Sequence, residues 1–340
     1  MKKLSPGRLA WAALMFLVVS SLVLTGCEPQ GAAVRSPIPT PVGASFASPL
    51  PMPTRADGKP ERQPPQPNRK VHVGEITKLE APVATTRYLI RNELDERMMN
   101  ALYVRDTQTG QEIRLGDDNG EALFEAQSDQ YIIWRYNCCA EGKNSTLKTG
   151  LYASDPKSGN LTEVVQGRFQ GFVEIDGQWM TYMNIQEPKA YFADLRAHNL
   201  ATGEDFLVAR NVAYRGVGND YTAIGDNRIV WVGLDLNAHT VAIYVYDLAT
   251  RTTRALKAPY LLSPTNVSIS GDFVIWQDEF WEGYDLKQDI LFGLPTVPPG
   301  WEKIEHSPAQ SFRVMNDRLY WSVEVSGKTY HFTAPIVRNN

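Results

Sequence analysis

The sequence predicts an all-β fold assembled from repeated units, and three observations predict it. Apolar and polar residues alternate in short runs, an aromatic residue recurs at a nearly constant spacing, and a turn sequence rich in Asp and Gly recurs in step with it. Alternation with a period of two is typical of half-buried antiparallel strands, and two markers that repeat together indicate a repeat architecture.

One unit is clearest in residues 221–256, where four strands are predicted. They cover residues 221–224, 229–232, 241–246 and 252–256. Gly225 and Asp226 are predicted to form the first turn, because Gly accepts a positive φ and Asp bonds its own backbone.

The aromatic marker closes the second predicted strand of each unit. It falls at Trp134, Tyr182, Trp231, Trp276 and Trp321, with spacings of 48, 49, 45 and 45 residues. A further step of about 46 residues back from Trp134 predicts Tyr88 as the marker of the first unit.

The turn marker follows the third predicted strand. It is LYVRDTQTG at residues 102–110, LYASDPKSG at 151–159, LRAHNLATG at 195–203 and IYVYDLATR at 243–251. Periods of 40 to 50 residues with four strands each are typical of β-propeller blades. Six markers therefore predict six four-stranded blades, and a five-bladed ring with an irregular first segment is the alternative.

The last unit is too short for a fourth strand, which would leave a row of unpaired backbone groups. Residues 71–76 precede the first unit and are available for that place. We therefore predict that an N-terminal strand closes the ring.

These units resemble the TolB-like, WD40-like propeller repeats of exported bacterial proteins. The resemblance rests on a Gly-Asp pair, two apolar residues and Trp, followed by a strand ending in D-L-x-T-G, and it covers the chain from residue 77. It implies the fold and says little about function. Residues 289–294 depart from it, because PTVPPGW follows them in place of the turn sequence.

The N-terminal residues predict export. Lys2, Lys3 and Arg8 precede an apolar run, and Leu24-Thr25-Gly26-Cys27 resembles the bacterial lipobox. We expect a signal peptide over residues 1–26 and a lipid on Cys27, which would hold the chain at the extracytoplasmic face of an inner or outer membrane. An ordinary signal peptide and a single membrane-spanning helix are the alternatives.

Residues 27–69 are predicted to be a tether. Eleven of the 22 prolines lie between Pro29 and Pro67, and Pro favours extended polyproline II. The propeller is then residues 70–340. The chain after residue 26 has 31 basic and 38 acidic residues, a net charge of -7, which argues against nucleic acid as a partner.

The connections between second and third strands are predicted to be long and to form the binding face. The segment QDEFWEGYD at residues 277–285 is the strongest candidate, since it mixes carboxylates and aromatics; a solvated loop whose aromatics pack on the next blade is the alternative. The candidate binding residues are Asp278, Glu279, Trp281, Glu282, Tyr284 and Asp285, with Asp235 and His239 from the preceding unit.

Cys138 and Cys139 are adjacent in another of these connections. Their Cα atoms would be about 3.8 Å apart, below the usual disulfide range, so a vicinal disulfide would be strained. Two free or buried cysteines are the alternative. The sequence shows no zinc-ligand spacing and no catalytic or cofactor motif, so no metal, cofactor or catalytic residue is predicted.

Together these observations favour a membrane-anchored, non-catalytic propeller that binds a protein, a peptide or an envelope polymer. We expect it to be a monomer. The alternatives are a propeller hydrolase or lyase acting on carbohydrate, with carboxylates gathered from separate blades, and a structural partner of another exported complex.

Overall fold

The structure is a computed structural model that describes most of the chain from residue 68 onward. The described residues are 68, 70–80, 87–94, 99–138, 145–167, 172–184, 192–213, 221–235, 240–258, 261, 264–278, 280–294 and 311–339. All of them belong to one compact unit, residues 44–340. The predicted signal peptide, Cys27 and most of the tether lie outside the described residues.

These residues form 24 strands. In chain order they are β1 Val71–Val73, β2 Thr77–Leu79, β3 Tyr88–Leu94, β4 Asn100–Asp106, β5 Glu112–Leu115, β6 Gly120–Gln127, β7 Ile132–Cys138, β8 Gly150–Asp155, β9 Asn160–Gln166, β10 Glu174–Asp176, β11 Trp179–Asn184, β12 Phe192–Asn199, β13 Asp205–Ala213, β14 Thr222–Gly225, β15 Arg228–Asp235, β16 Thr240–Asp247, β17 Thr252–Ala255, β18 Thr265–Ser270, β19 Phe273–Gln277, β20 Trp281–Asp285, β21 Ile290–Gly293, β22 Ser311–Met315, β23 Arg318–Val325 and β24 Lys328–Arg338.

The strands form six antiparallel blades in sequence order. Blade 1 contains β3–β5, blade 2 β6–β9, blade 3 β10–β13, blade 4 β14–β17, blade 5 β18–β21 and blade 6 β22–β24 with β1 and β2. Blade 1 has three strands in the described residues, and residues 81–86 before it are not described. Blades 3 and 4 share one further pair, Val212 with Gly233. The six-bladed prediction is confirmed.

The N-terminal segment completes blade 6, as predicted. β1 pairs with β24 from Val71 opposite Arg338 to Val73 opposite Ile336, and β2 pairs with the same strand opposite residues 331–333. Between the two, the Gly74 N–H donates to the Pro335 carbonyl at 2.8 Å. The long edge of β24 is thereby covered, and the start of the propeller is joined to its end.

In blades 2 to 6 the aromatic marker is one half of a cross-strand pair between the second and third strands. Trp134 stacks on Tyr152, Trp231 on Tyr244 and Trp321 on Phe332, with centroids 5.1, 5.4 and 5.7 Å apart. In blade 5 the partner is Glu282, which accepts from Trp276 Nε1 at 2.9 Å, and in blade 3 Arg196 donates to the Tyr182 hydroxyl at 3.1 Å. Directly opposed side chains are what stabilises a sheet face, which explains the constant period.

The marker predicted for blade 1 is wrong. Tyr88 pairs with Asp106, the turn residue, whereas each marker pairs with the residue three positions before the turn. The equivalent residue in blade 1 is Arg91, whose guanidinium carbon lies 4.7 Å from the centroid of the Tyr103 ring. A cation over an aromatic face replaces aromatic stacking here, so an aromatic search could not find it.

The turn after the third strand is shared by blades 1 to 5. A side-chain oxygen accepts backbone N–H groups two and three residues ahead, an arrangement that Asp and Asn favour, and the residues concerned are Asp106, Asp155, Asn199, Asp247 and Asp285. Four positions after this Asp or Asn, the turn needs a residue with a positive, left-handed φ. The residues at that position are Gly110, Gly159, Gly203, Arg251 and Asp289. Blade 5 therefore has the turn that the sequence analysis did not find in it, and Asp289 takes the position that Gly holds in blades 1 to 3.

The first turn of blade 4 also differs from the prediction. The residues with positive φ are Asp226 and Asn227, as in the primed turns that suit β-hairpins. Gly225 has a different role: a Cβ there would lie 2.7 Å from the Ile269 carbonyl oxygen of blade 5. It is the close approach of two blades, and not the turn conformation, that requires glycine.

The apolar core consists of layers between neighbouring blades. Four clusters of buried residues join blade 1 to 2, blade 2 to 3, blades 3, 4 and 5 to one another, and blade 5 to 6. None of these clusters, which are built from described residues, contains residues of both blade 6 and β3–β5. As far as the described residues go, the junction between blades 6 and 1 has no apolar cluster like those at the other five.

Candidate binding face

Two faces of the propeller follow from the strand directions. The turn face carries the first-to-second and third-to-fourth turns, and the long-loop face carries the second-to-third connections and the links between blades. The second-to-third connections span 95–99, 139–149, 185–191 and 236–239 in blades 1 to 4, with many residues not described, and only those of blades 2 and 3 are longer than the turns of the other face. They are short in blades 5 and 6, at 278–280 and 326–327.

An Asp117-centred network lies on the long-loop face between blades 1 and 2. Asp117 follows β5, and its carboxylate accepts from the Tyr136 and Ser145 hydroxyls and from the Asn119 N–H at 2.8 Å. Burial opposes ionisation of this carboxyl, but these bonds and one from the Thr146 N–H outweigh it, so the pKa of Asp117 lies below its usual value. The network ties both ends of the second-to-third connection of blade 2 to the link from blade 1.

The Tyr136 hydroxyl is held as a neutral donor. Burial, followed by its hydrogen bond to the Asp117 carboxylate, raises the pKa of Tyr136 to about 12. The Tyr136 ring packs edge-on against Trp134 and Tyr152. Gly120 is required beside it, since a Cβ there would lie 2.5 Å from the hydroxyl oxygen.

A second carboxylate, Glu121, is bracketed by two amides on the same face. Asn100, at the start of β4, donates to Glu121 Oε1, and Asn137, at the end of β7, donates to Oε2 at 3.3 Å. The three strands that carry these residues come from two blades. Glu121 thus adds a second polar link across the junction, next to the Asp117 network.

Cys138 ends β7 beside these networks and is disulfide-bonded. Its backbone N–H donates to Thr149 Oγ1 at 2.9 Å, which joins the two ends of the connection. Cys139 lies outside the described residues. The Cys138–Cys139 bridge therefore stays a prediction.

The predicted binding loop of blade 5 is a strand. Trp281, Glu282, Tyr284 and Asp285 belong to β20, the third strand, and all are buried. The connection before it is a tight hairpin, in which the Asp278 N–H donates to the Phe280 carbonyl at 2.9 Å. The assignment failed because Glu282 stands opposite the marker where most blades have an aromatic residue, and because Asp285 was not recognised as the turn residue that blades 1 to 4 also have.

Each buried side chain of β20 has a structural partner. Asp285 accepts from Arg338 Nε of blade 6 at 2.5 Å, and the Tyr284 hydroxyl donates to Asp289 Oδ1 at 2.5 Å. Trp281 packs against Phe312 with centroids 4.3 Å apart. These residues are buried with partners in blade 5 or on blade 6, so they cannot form the exposed face predicted for them.

The other predicted residues are mostly outside the described part of the chain. Asp278 is described, half-buried and on the long-loop face. Glu279 and His239 are not described, and Asp235 ends β15 with its side chain not described. Their role in binding stays a prediction.

Sequence reasoning missed Asp117, Glu121 and Ser145. Asp117 and Ser145 are 28 residues apart and have no motif in common. The available signal was indirect: residues 116–119, GDDN, form a short polar link directly before a blade whose second-to-third connection contains cysteines. Only the pairing of blades brings the two segments together.

The described residues contain no group of three or more His, Cys, Asp or Glu arranged to hold a metal ion. Among them there is also no helix long and apolar enough to cross a membrane.

Comparison with known proteins gives likeness in fold. No family model matches the chain, and no curated protein matches it. The β-propeller domain of the Trilobed protease from Pyrococcus furiosus is similar, with 9% identity, a TM-score of 0.50, and coverage of 80% of this chain and 84% of that one. The fold is a β-propeller.

TolB from Acinetobacter baumannii is also among the similar structures, with 14% identity and a TM-score of 0.40 over 78% of this chain. The propeller covers 65% of that TolB chain, which is less than two thirds. Acylaminoacyl peptidase from Pyrococcus horikoshii matches with 10% identity and a TM-score of 0.47, over 80% of this chain and 46% of that one. At these identities the likeness concerns the fold alone.

Proposed function

We propose that the chain is a lipid-anchored, extracytoplasmic propeller that binds a protein, a peptide or an envelope polymer on its long-loop face without catalysing a reaction. The observation that carries the proposal is the pair of networks around Asp117 and Glu121. They fix both ends of the longest second-to-third connection on a rigid two-blade base. A loop positioned by a rigid scaffold is suited to recognition.

The carboxylates of this face support binding more than catalysis. Asp117 accepts from Tyr136 and Ser145, and Glu121 accepts from two amides, so their hydrogen-bonding capacity serves the scaffold. A hydrolase or lyase acting on carbohydrate remains the alternative hypothesis, and no arrangement of the described residues favours it.

Site-specific photo-cross-linking tests the binding face. A photoreactive residue at Thr146, exposed in the connection of blade 2, is compared with one at Lys157, exposed in a third-to-fourth turn of the same blade on the turn face. We expect a discrete cross-linked product from Thr146 in intact cells and none from Lys157. A product from Lys157 alone, or equal products from both, would contradict the proposed face.

The anchor is tested separately with Cys27→Ser. We expect this variant to leave the membrane fraction, because without Cys27 the chain has no site for the acyl chains that would hold it in the bilayer. A variant that stays with the membrane would show that the chain is held in another way. Mass spectrometry of the mature N-terminus provides the matching readout.

A further inference from the structure

A groove of about 370 Å³ lies on the turn face between blades 4 and 5. One wall is the end of blade 4, with Thr250, Thr252 and Arg254, and the other is the third-to-fourth turn of blade 5, with Leu286 and Lys287. Its volume is within the usual range for small-molecule sites, about 300 to 1,000 Å³. It lies on the opposite face from the second-to-third connections, and the proposed function does not depend on it.

The charge that lines the groove is unbalanced toward positive. Three cations, Arg228, Arg254 and Lys287, face two carboxylates, Asp247 and Asp272. Asp272 already accepts from Arg228 Nη1 at 3.2 Å and from Arg338 Nη2 at 3.3 Å.

Asp247 is likewise engaged by its own turn. Its Oδ1 accepts from the Ala249 and Thr250 N–H groups at 3.0 and 2.8 Å, and its Oδ2 lies 3.9 Å from Arg228 Nε. Both carboxylates thus face the same arginine, which leaves the groove's other two cations unmatched by them.

The donors that remain belong to the two outer cations. Arg254 Nη2 donates to the Leu286 carbonyl at 2.9 Å. Its Nη1 forms an ion pair with Asp289 Oδ1 at 3.6 Å, which is too long for a hydrogen bond, and its side chain is about half exposed. The Lys287 ammonium has no ion-pair partner in the part of the chain that the structure describes. Arg and Lys carry donors and no acceptors, so an incoming group must supply the acceptors.

Two threonine hydroxyl groups line the blade 4 wall of the groove. Thr250 Oγ1 and Thr252 Oγ1 are 2.7 Å apart and both side chains are exposed. The Asp247 carboxylate lies beside them and accepts from the Thr250 hydroxyl, with lone pairs left for a further donor. A ligand that satisfies the whole groove therefore carries an oxyanion at one end and hydroxyl groups along its length.

We propose that this groove binds an acidic sugar. Its carboxylate or phosphate group bonds Arg254 and Lys287, and its hydroxyls bond Thr250, Thr252 and Asp247. Charge-assisted bonds of this kind are the stronger ones in proteins, and their attraction is screened by salt because the site is open to water.

Calorimetric titration of the purified full chain tests the proposal with three probes. Glucuronate presents a carboxylate, glucose 6-phosphate a phosphate, and glucose neither. We expect saturable, salt-sensitive binding of glucuronate, of glucose 6-phosphate or of both, and the stronger of the two identifies the oxyanion. We expect Arg254→Gln and Lys287→Gln each to weaken that binding about tenfold, since each removes one charge-assisted bond.

The chain offers a matched control. Lys157 occupies the same turn position in blade 2 that Lys287 occupies in blade 5, and both are exposed. Lys157→Gln is expected to leave binding unchanged. The proposal is overturned if neither acidic sugar binds, if glucose binds as tightly as they do, or if Lys157→Gln weakens binding as much as Lys287→Gln.

Discussion

Leu319 of blade 6 and Leu89 of blade 1 occupy the same position in their blades and have opposite surroundings. Each pairs with the residue just before the turn position of the third strand. Leu319 is fully buried against blade 5, whereas Leu89 is 58% exposed. The equivalent residues of the other blades, all fully buried, are Ile132, Met180, Ile229 and Val274.

The comparison extends to the next residue on that face. In blades 2 to 6 it is the aromatic marker, packed toward the preceding blade, and in blade 1 it is Arg91, which forms an ion pair with Glu112. On the other side of this junction, blade 6 has Tyr320 at the position where blade 5 has the buried Ile275. Among the described residues, apolar clusters therefore join five of the junctions, and blade 6 itself is completed by the backbone pairing of β1 and β2 with β24.

Matched truncations of the two leucines give the largest expected difference. Leu319→Ala should lower the free energy of unfolding by about 2 to 5 kcal/mol, because it removes buried methyl groups and leaves a cavity. Leu89→Ala should change it by less than about 0.5 kcal/mol, as expected at an exposed site. Urea denaturation followed by tryptophan fluorescence measures both. Equal losses would mean that the junction between blades 6 and 1 is packed like the others.

A second difference concerns the ion pair between blades 5 and 6. Asp285 has no exposed surface and is bonded by Arg338. Arg338→Gln should cost about 3 kcal/mol, at the lower end for a broken buried pair because the arginine keeps a quarter of its side chain exposed.

The double variant Asp285→Asn with Arg338→Gln is the control for this pair. It removes the charge that would otherwise remain buried, so it should recover part of the loss. The same denaturation assay applies to all three proteins. No recovery in the double variant would show that the loss comes from packing of Arg338 on Phe273, 4.2 Å away, and not from the charge.

This contrast explains how much of the fold the sequence predicts. Trp134, Trp231 and Trp321 recur at a fixed period because each fills the same place against the preceding blade, so blade number and ring closure are predictable. Arg91 fills that place with a different chemistry, and Asp289 takes a left-handed position usually held by Gly. When a residue of another chemical type takes the same place in a blade, a search for the usual residue types does not detect the repeat.

The site was less predictable for a related reason. In WEGYD, the two carboxylates and two aromatics suggest a ligand when the segment is considered alone. Their partners are Trp276, Arg338, Asp289 and Phe312, most of them on other strands or another blade. The burial of an acidic residue is explained by its partner, and the sequence of one segment alone does not show which distant segment it pairs with.

Gly225 gives a smaller test of close packing between blades. Gly225→Ala should cost about 2 kcal/mol, because its Cβ would be forced against the Ile269 carbonyl at a packed junction. Gly159→Ala, in a turn with open space around it, should cost about 1 kcal/mol from its left-handed φ alone. Thermal unfolding compares them. The amide resonance of Ser270 should shift in the first variant and not in the second; a shift in neither would show that the blades separate easily here.

The smallest effect is expected at Asp106, the turn residue of blade 1. Asp285, at the same position, is held by the next blade, but Asp106 is held within its own blade by Arg87, whose Nε lies 3.0 Å from both carboxylate oxygens. This bond, together with those from the Gln108 and Thr109 amides, lowers the pKa of Asp106 from 3.8 to about 2. Because the folded pKa is depressed, the stabilisation is present above about pH 4 and is lost as the pH falls toward 2.

Arg87→Gln should therefore raise the pKa of Asp106 toward 3.8, although the bonds from the Gln108 and Thr109 amides will keep part of the depression. Carboxyl-carbon NMR titration measures the change. Asp155 is the internal control, since it has the same turn without an arginine among the groups that lower its pKa, and it should titrate identically in both proteins. An unchanged Asp106 would show that the turn amides alone hold its charge, and that blade 1 depends on no ion pair at the position where blade 5 depends on Arg338.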